Sequence, residues 1–211
     1  MIIQDESLPD QQANLDRDDE LLRLADREGN GEVLRFWESS KVFVVLGRMG
    51  REEDDVNMAA CKLDGVAVLR RSSGGGTVVQ GPGCLNFSLV LSRVTRPELR
   101  TITQSYRVIL DKVSAGLKRL GVASEFRPVC DLVVGGTERK FSGNAQRRGR
   151  DFILHHGTIL YGFDLGLVPR YLKQPVLMPE YRRGRIHADF VTNIPVLPEE
   201  AKRSIAQEFA G

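Results

Sequence analysis

A run of three glycines that follows two arginines and two serines is the first segment able to do chemistry. Residues 70–77 read Arg-Arg-Ser-Ser-Gly-Gly-Gly-Thr and lead into the apolar pair Val78 and Val79. Glycines let backbone N–H groups approach a bound group, and successive amides can form an anion-binding nest. The forks of Arg70 and Arg71 suit phosphate or carboxylate, although no Walker motif is present. The simpler alternative is a flexible turn with a solvated basic pair.

A single lysine in a stretch of small residues is the second candidate. Asp131 begins the run Asp-Leu-Val-Val-Gly-Gly, and Lys140 begins the run Lys-Phe-Ser-Gly-Asn-Ala. Because little bulk follows it, the ammonium of Lys140 could project into a cavity, neutralise a phosphate and polarise a carbonyl group. The alternative is an ordinary exposed lysine, which is the usual state of this residue type.

The histidines and cysteines carry weaker signals. His155 and His156 are adjacent in an apolar run, so at most one of them faces a given site and the two make a poor metal pair. A buried histidine with satisfied hydrogen bonds is the alternative. Cys61, Cys84 and Cys130 are widely spaced and lack a CxxC pair. This pattern argues against both a disulfide scaffold and a zinc site.

The composition predicts an ordinary globular protein. The 211 residues include 41% hydrophobic and 7% aromatic residues, and 30 basic against 28 acidic residues leave a net charge of +2. So close a balance gives no reason to expect nucleic-acid binding. No apolar run is long enough for a membrane span, and the polar, acidic N-terminus does not resemble a signal peptide. We therefore expect a cytoplasmic protein with no membrane partner.

Helices and strands of mixed order must position these candidates. Apolar residues at helical spacing predict helices over five ranges: Glu20–Arg27, Arg51–Cys61, Thr103–Leu120, Leu167–Tyr171 and Glu199–Phe209. Short apolar or alternating runs predict strands: Val33–Trp37, Val42–Leu46, Val66–Leu69, Asn86–Leu91, Leu132–Val134, Arg139–Ser142 and Ile153–Leu160. Gly121 is a candidate C-cap for the third helix. The fold class is therefore α/β with hairpins. We expect a flexible lead-in over residues 1–19 and a single domain over residues 20–211.

Several strings occur in an order that matches a known family. They are LRFWESSKVFVVLGR, LRRSSGGGTVVQGPGCLNFSLVL, DLVVGGTERKFSGNAQRR, HHGTIL and VTNI, and together they extend over most of residues 33–194. In this order and spacing they resemble the catalytic domain of lipoate–protein ligase A. The resemblance implies the fold shared by biotin ligases, lipoyl/octanoyl transferases and class II aminoacyl-tRNA synthetases, which is a central mixed sheet with flanking helices.

The resemblance also implies roles for individual residues. Lys140 matches the family's catalytic lysine, and Asp131 matches an acidic position near the phosphates and Mg²⁺, so that a magnesium contact is expected there. ATP and lipoyl-AMP would be bound by both of these residues and by Arg71, Ser73, Gly74, Gly75, Gly76, Thr77, Val78 and Val79. Walls of an acyl tunnel would be formed by Gly143, Asn144, Ala145, His156, Gly157 and Thr158. Apolar lining could come from Val78, Val79, Phe141 and Ile159.

The implied reaction has two steps and a protein substrate. Lipoate and ATP form lipoyl-AMP, and a lysine of a lipoyl carrier domain then attacks it to form an amide. Such carriers belong to 2-oxoacid dehydrogenase or glycine cleavage proteins. The chain departs from the family at Gln80 and Gly81, where a His-Asp pair is usual, and at Cys130, where Asn is usual. It also ends without the family's accessory C-terminal domain, so we expect a separate accessory subunit or the use of ready-made acyl-adenylate.

Three other functions remain open. An octanoyltransferase of the same fold would need a cysteine nucleophile, but neither Cys84 nor Cys130 falls at the expected position and no cysteine follows the HHGTIL string. A biotin ligase would have a different glycine-rich motif and a different lysine context. A noncatalytic acyl-binding module would not need to retain Arg71, Lys140 and Asp131 together.

Overall fold

The structure is a computed structural model that describes residues 1–175 and 178–210. Its ten strands are β1 Ile2–Asp5, β2 Val33–Trp37, β3 Phe43–Leu46, β4 Ala67–Arg70, β5 Val78–Gln80, β6 Cys84–Ser92, β7 Ser124–Arg127, β8 Asp131–Val134, β9 Arg139–Arg148 and β10 Phe152–Leu160. The α-helices are α1 Gln11–Glu28, α2 Glu52–Asp55, α3 Met58–Asp64, α4 Ile102–Arg119, α5 Leu167–Tyr171, α6 His187–Phe190 and α7 Pro198–Phe209. Short 3₁₀ turns cover Pro97–Leu99 and Glu180–Arg182.

A seven-stranded mixed sheet forms the centre of the fold. Its strand order is β1-β2-β6-β10-β9-β8-β7, with β1 parallel to β2 and every other pair antiparallel. The long strands β6, β9 and β10 lie together, so the Lys140 and double-histidine segments become neighbours. The α/β fold class, with a central mixed sheet and flanking helices, is confirmed.

The two faces of this sheet are covered differently. Helices α4 and α7 pack on one face, here called the helical face, against residues such as Phe87, Ile153 and Ile159. The opposite face, here called the site face, carries Leu154, His156 and Thr158 of β10, because neighbouring strand residues point in opposite directions. Helix α1 covers one half of the site face through an apolar cluster that includes Leu154.

A second, smaller sheet covers the other half of the site face. Its strand order is β4-β3-β5, with β3 parallel to β4 and antiparallel to β5. Phe43 and Val45 of β3 pack with Trp37 of the large sheet and Leu15 of α1. The glycine-rich segment connects β4 to β5, so the small sheet positions it above the large one.

The N-terminal segment differs from the prediction. Residues Ile2–Asp5 form a strand, and α1 begins at Gln11 with the Asp10 carboxylate accepting from the Ala13 N–H at 2.7 Å. The expectation of a flexible lead-in over residues 1–19 is wrong, because this segment buries polar side chains such as Asn14 and Asp18 beside the single apolar residue Leu15. Hydrophobic periodicity does not detect such a helix.

Most other elements agree with the sequence-based predictions. Val33–Trp37 and Leu167–Tyr171 occur with the predicted bounds, and α4 ends before Gly121, which has a φ of 81°. The helix predicted over Arg51–Cys61 is two short helices separated at residues 56–57. Strands β5 and β7 were not predicted. No helix in the described parts of the chain is long and apolar enough to cross a bilayer.

Candidate active site

A bulge in β9 decides where Lys140 points. In the pairing of β8 with β9, Asp131 is opposite Gly143. Val133, two residues further along β8, is opposite Lys140, so β9 carries one extra residue. In a regular strand, residues three apart would point to opposite faces. Here both Lys140 and Gly143 serve the site face, and a Cβ atom on Gly143 would lie only 2.8 Å from Lys140 Nζ.

A carboxylate holds the Lys140 ammonium. Asp131 Oδ1 lies 2.7 Å from Lys140 Nζ, and the Tyr181 hydroxyl donates to Asp131 Oδ2 at 2.5 Å. The Lys140 side chain is 25% exposed, whereas that of Asp131 is 7% exposed. Burial and the nearby Asp131 raise the pKa of Tyr181, so its hydroxyl remains a donor at neutral pH. The carboxylate is therefore enclosed while the cation stays accessible to a ligand.

The glycine-rich loop closes around the side chain of Arg71. The guanidinium donates to the carbonyl oxygens of Gly74 at 2.6 Å and Gly76 at 2.8 Å, and its Nε donates to Ser73 Oγ at 3.1 Å. Gly75 has a φ of +84°, a conformation that glycine adopts without Cβ strain. These bonds order the loop, which is therefore not a simple turn with a solvated basic pair.

Among residues 1–175 and 178–210, no carboxylate pairs with the Arg71 cation. Its hydrogen-bond acceptors are three backbone carbonyl oxygens and the Ser73 hydroxyl. Burial lowers the pKa of Arg71 to about 10, which leaves the guanidinium protonated at neutral pH. A desolvated cation whose partners are neutral favours an incoming anion, and the planar fork suits a carboxylate or phosphate.

The loop lies directly over the site face. His156 Nε2 of β10 is 2.5 Å from Ser73 Oγ, which joins the loop to the large sheet. A Cβ atom on Gly75 would lie 3.8 Å from the Cβ of Ala145 in β9. Arg71 and Lys140 are therefore on the same side of the large sheet, with small residues of β9 between them.

The adjacent histidines face opposite ways, as the alternation of a strand predicts. His155 lies on the helical face, with its ring 5.5 Å from that of Tyr106 and its Nδ1 3.1 Å from Gln146 Nε2. Complete burial lowers the pKa of His155 to about 3, so the ring is neutral at physiological pH. His155 is thus a buried histidine with satisfied hydrogen bonds, and His156 is the one that meets the loop.

The six residues expected to wall an acyl tunnel divide between the two faces. Asn144 lies on the helical face, where its amide donates to a backbone carbonyl oxygen at 2.9 Å. Gly157 lies there too, since a Cβ atom on it would be 1.9 Å from Asn144 Oδ1. These two are outside the space between Lys140 and the loop. The remaining four share the site face, and their role as tunnel walls stays a prediction: Gly143, Ala145, His156 and Thr158.

The expected apolar lining is corrected in part. Phe141 and Ile159 are buried in the core beneath α4, so the prediction that they line the tunnel is wrong. Val79 packs in an apolar cluster with Cys84 and Phe163, and the Thr77 hydroxyl donates to a carboxylate of α2 at 2.6 Å. Val78 packs towards the large sheet. Of these residues, only Val78 points towards the space above the site face.

A family model decides where this chain belongs. The model of the lipoyl protein ligase A/B catalytic domain matches residues 10–210. The chain belongs to this family. Its relatives are named as lipoate-protein ligases and octanoyltransferases, so the biotin ligase interpretation is set aside.

Relatives of both activities are similar to this member of the lipoyl ligase A/B family. A protein named as a lipoate-protein ligase A in Schizosaccharomyces pombe is 33% identical over 132 residues, 63% of this chain and 34% of that protein. The octanoyltransferase LipM of Carboxydothermus hydrogenoformans is 31% identical over 194 residues, 84% of this chain and 70% of that protein. The chain thus spans about a third of the yeast ligase's length.

Solved structures of lipoate ligases have the same fold as this family member. The bipartite lipoate protein ligase of Thermoplasma acidophilum, determined with its E2 lipoyl domain, has a TM-score of 0.82 at 24% identity. The match covers 99% of this chain and 82% of that one. A lipoate-protein ligase A bound with ATP has a TM-score of 0.81 at 26% identity, covering 99% and 83%.

The thiols of this lipoyl ligase A/B domain differ in accessibility. Cys84 is fully buried, and burial raises its pKa to about 12, so it is inert. Cys130 is partly buried, and its Sγ lies 3.8 Å from Asp131 Oδ1. Burial and the Asp131 charge raise the pKa of Cys130, which keeps it a thiol at neutral pH.

Sequence reasoning missed three side chains that complete the site. Tyr181 binds Asp131 from a segment without any recognisable motif. Asp18 and Arg35 form an ion pair, 2.7 Å between Oδ1 and NH1, beneath His156. The one available signal was the spacing of Asn14 and Asp18, which places both on the helix stripe that continues through Leu21 and Leu22.

Proposed function

We propose that this chain transfers a lipoyl group from lipoyl-AMP to a lysine of a carrier domain, and that it forms lipoyl-AMP from lipoate and ATP. The observation that carries this proposal is the placement of two cations, Arg71 without a carboxylate and Lys140 partly exposed, on one side of the sheet. An acyl-adenylate joins a charged phosphate to an apolar chain, so its site needs cations at one end. The ATP-bound ligase of the same fold supports the nucleotide assignment.

Each part of the site takes a role in binding. Arg71 and the amides of residues 74–76 would hold the phosphate or the lipoate carboxylate. The acyl chain would lie along the small residues Gly143 and Ala145 of β9, beside the loop. Val78 offers apolar surface from the small sheet. The charged end of the ligand would lie near Lys140.

Lys140 would stabilise the transition state of transfer. The carrier amine attacks the acyl carbon, a C–N bond forms, and the C–O bond to the phosphate breaks as AMP leaves with the electron pair. The attacking amine releases its proton to water. The negative charge that develops on the acyl oxygen would accept from the Lys140 ammonium. Asp131 orients that ammonium, and Tyr181 fixes the second carboxylate oxygen.

The expected magnesium contact at Asp131 stays a prediction. Both Asp131 oxygens accept from protein donors, Lys140 and Tyr181, so this carboxylate does not offer a free oxygen to Mg²⁺ in the present conformation. In residues 1–175 and 178–210 no group of three or more His, Cys, Asp and Glu side chains could hold a metal ion. The nucleotide phosphates would therefore supply most of the ligands of a bound Mg²⁺.

The protein substrate proposed is a lipoyl carrier domain of a 2-oxoacid dehydrogenase or of a glycine cleavage protein. The Thermoplasma ligase, whose structure was determined with its E2 lipoyl domain, supports this class of partner. That ligase is bipartite, so we also propose a separate accessory subunit that assists adenylation. The expected cytoplasmic location remains a prediction.

Mass spectrometry of a carrier domain tests the proposal. A lipoyl domain is incubated with the protein and either lipoate, ATP and Mg²⁺ or synthetic lipoyl-AMP. We expect a lipoyl mass increase on one lysine with both donors, faster with lipoyl-AMP if an accessory subunit is needed for activation. An unchanged carrier mass with both donors would contradict the proposal, provided that a known ligase modifies the same carrier.

An octanoyltransferase is the second candidate, favoured by the LipM relative. In that reaction the Cys130 thiolate would attack a carrier thioester, and the C–S bond to the carrier would break and release the carrier thiol. An amine would then attack the acyl-cysteine, form an amide and release the Cys130 thiol. The raised pKa of Cys130 disfavours the thiolate that this attack requires. Octanoyl transfer from an octanoyl carrier without ATP, with an octanoyl mass on Cys130, would establish this second function.

A further inference from the structure

A buried ion pair lies on the site face, between α1 and the large sheet, and is not explained by packing. Asp18 of α1 and Arg35 of β2 are 1% and 0% exposed, with 2.7 Å between Asp18 Oδ1 and Arg35 NH1. Arg35 also donates to the carbonyl oxygen and the side-chain oxygen of Asn14. A buried ion pair is often no more stabilising than apolar residues of the same volume. Next to this ion pair the site face is apolar, and Leu154 packs there on α1. Apolar residues in place of Asp18 and Arg35 could have continued that contact.

The second oxygen of Asp18 points towards the loop. Asp18 Oδ2 accepts from Ser88 Oγ at 2.6 Å and lies 3.7 Å from His156 Nδ1. Arg35, Ser88 and His156 are cross-strand neighbours on β2, β6 and β10, so the sheet itself sets this alignment. At 3.7 Å Asp18 Oδ2 attracts His156 Nδ1 electrostatically and does not accept a direct hydrogen bond from it. It favours a hydrogen on Nδ1, the ring nitrogen that faces the carboxylate.

Two hydrogen bonds of defined direction connect His156 to Arg71 through Ser73. With the hydrogen on Nδ1, His156 Nε2 is an acceptor, and the Ser73 hydroxyl donates to it at 2.5 Å. The oxygen of Ser73 is then free to accept from Arg71 Nε at 3.1 Å. With a hydrogen on Nε2 the Ser73 oxygen would have to accept from both His156 and Arg71, and the Ser73 hydrogen would lose its acceptor on the ring. The carboxylate of Asp18 thereby favours the arrangement in which Ser73 donates to His156 while it accepts from Arg71, and in such a chain each hydrogen bond strengthens the next.

We propose that Asp18 is a positioning residue, which acts through His156 and Ser73 to hold Arg71 and the glycine-rich loop ready for the anionic end of the acyl donor. It touches no substrate. The kinetic part of this inference rests on the proposed function, because Arg71 must bind the donor. The structural part concerns the Arg71 side chain alone and does not depend on the reaction.

The kinetic test compares two aspartates of the same helix. Asp18→Asn removes the negative charge that favours a hydrogen on Nδ1, so the hydrogen can move to Nε2 and the bond to Ser73 reverses. We expect the KM for lipoyl-AMP to rise about ten-fold, with the KM for the carrier unchanged, because one oriented hydrogen bond to a charged group is lost. Asp26→Asn is the matched control. Asp26 lies on the same helix and accepts hydrogen bonds from the backbone N–H groups of residues 150–152, at 2.9 to 3.0 Å, away from the glycine-rich loop.

A double-mutant cycle isolates the coupling. If Asp18 acts through Ser73, Asp18→Asn should add no further loss to Ser73→Ala, whereas a merely structural effect would add to it. Should Asp18→Asn fail to fold because Arg35 is left unpaired, the pair Asp18→Asn and Arg35→Gln keeps the interior neutral and serves in its place. Additive losses, or an unchanged KM for lipoyl-AMP, would overturn the inference.

Chemical modification provides a readout that needs no activity. Phenylglyoxal modification of Arg71, followed by peptide mass spectrometry, should be about five-fold faster in Asp18→Asn and in Ser73→Ala than in the wild type. Asp26→Asn should leave the rate unchanged. If the wild type transfers no lipoyl group, the proposed function fails while this measurement still tests the relay. Equal modification rates in all four proteins would overturn the relay even in an active enzyme.

Discussion

His155 and His156 are neighbours in β10, yet their surroundings are opposite. His155 is enclosed on the helical face between Phe87 and Tyr106, with its ring kept neutral by burial. His156 lies on the site face, between the Asp18 carboxylate and the hydroxyl of the glycine-rich loop. A displacement of one residue along a strand thus separates a core side chain from one that contacts the loop over the candidate site.

The same division applies to the strand that carries Lys140. Asn144 and Phe141 of β9 contribute to the helical face, whereas Gly143 and Ala145 contribute to the site face. Tight packing on the helical face means that changes there should act on stability. The site face is covered by a loop and a small sheet, so changes there should act on kinetics. Substitutions on each face test this separation of stability from kinetics.

The largest effect is expected at Lys140. Lys140→Ala should lower the rate of carrier modification about 10²-fold or more, because the developing oxyanion loses its donor. Lys140→Arg should not restore the full rate, since a planar fork cannot replace a compact ammonium. Lys202, on α7, is a matched control because it also pairs with a carboxylate, Asp5 at 2.9 Å. A Lys140→Ala rate close to that of Lys202→Ala would show that Lys140 is not catalytic.

Two glycines compare the faces directly. A Cβ atom on Gly143 would meet Lys140 Nζ at 2.8 Å, the mobile end of a side chain, so Gly143→Ala should displace the ammonium and lower kcat about ten-fold or more. A Cβ atom on Gly157 would meet Phe87 Cζ at 2.7 Å within the core. Gly157→Ala should lower the free energy of unfolding by about 2 kcal/mol and leave the kcat of the folded fraction unchanged.

Urea denaturation and steady-state kinetics of both variants check this contrast. The free energy of unfolding of Gly143→Ala should match the wild type within about 0.5 kcal/mol. If Gly157→Ala lowered kcat as strongly as Gly143→Ala at equal folded fraction, the two faces would not be functionally separate.

The sequence predicts the helical face better than the site face, for physical reasons. Apolar runs such as Val33–Trp37 predict strands directly, because burial on both faces selects apolar residues. The first half of α1 cannot be predicted in this way, because its buried residues Asn14 and Asp18 are polar and pair with Arg35. Strand β5 cannot be predicted from the sequence, because it has only three residues and directly follows the glycine-rich loop.

Within the site, spacing alone misleads. Lys140 and Gly143 are three residues apart, a separation that predicts opposite faces, and the bulge that unites them has no signature in the sequence. The resemblance to lipoate ligases identifies both positions but not their mutual geometry. Tyr181 could not be predicted, because it reaches Asp131 across fifty residues of chain.

Burial of His155 predicts an acid-sensitive fold. The pKa of His155 is about 3 in the folded chain and ordinarily 6.5, so the unfolded chain binds a proton first as the pH falls. The contribution of neutral His155 to the free energy of unfolding is fully present above pH 6.5. It falls as the pH is lowered towards 3, and the loss is about 2 kcal/mol at pH 5. His155→Gln should remove that part of the pH dependence. Urea midpoints at pH 7 and pH 5 measure it, and an identical pH dependence in both proteins would show that His155 does not remain neutral in the fold.

The smallest kinetic effects are expected at the thiols of Cys130 and Cys84. Cys130 lies beside the site, whereas Cys84 lies in the core. Cys130→Ala removes a thiol that contacts Asp131 but does not hold Lys140, so lipoyl transfer from lipoyl-AMP should stay within about three-fold of the wild type. Cys84→Ala should leave transfer unchanged and lower the free energy of unfolding by about 1 kcal/mol, because Cys84 is fully buried.

Only the Cys130 result bears on the choice between ligase and transferase. A ligase needs no covalent acyl-enzyme, so its rate should not depend on a thiol whose pKa is raised by burial and by a neighbouring carboxylate. A transferase that uses Cys130 would lose all activity in Cys130→Ala, whichever acyl carrier is offered. Loss of lipoyl transfer in Cys130→Ala, with full transfer retained in Cys84→Ala and an acyl mass on Cys130 of the wild type, would replace the adenylate mechanism by the thioester one. Retained transfer in both variants would leave Lys140 as the group that acts on the acyl carbonyl.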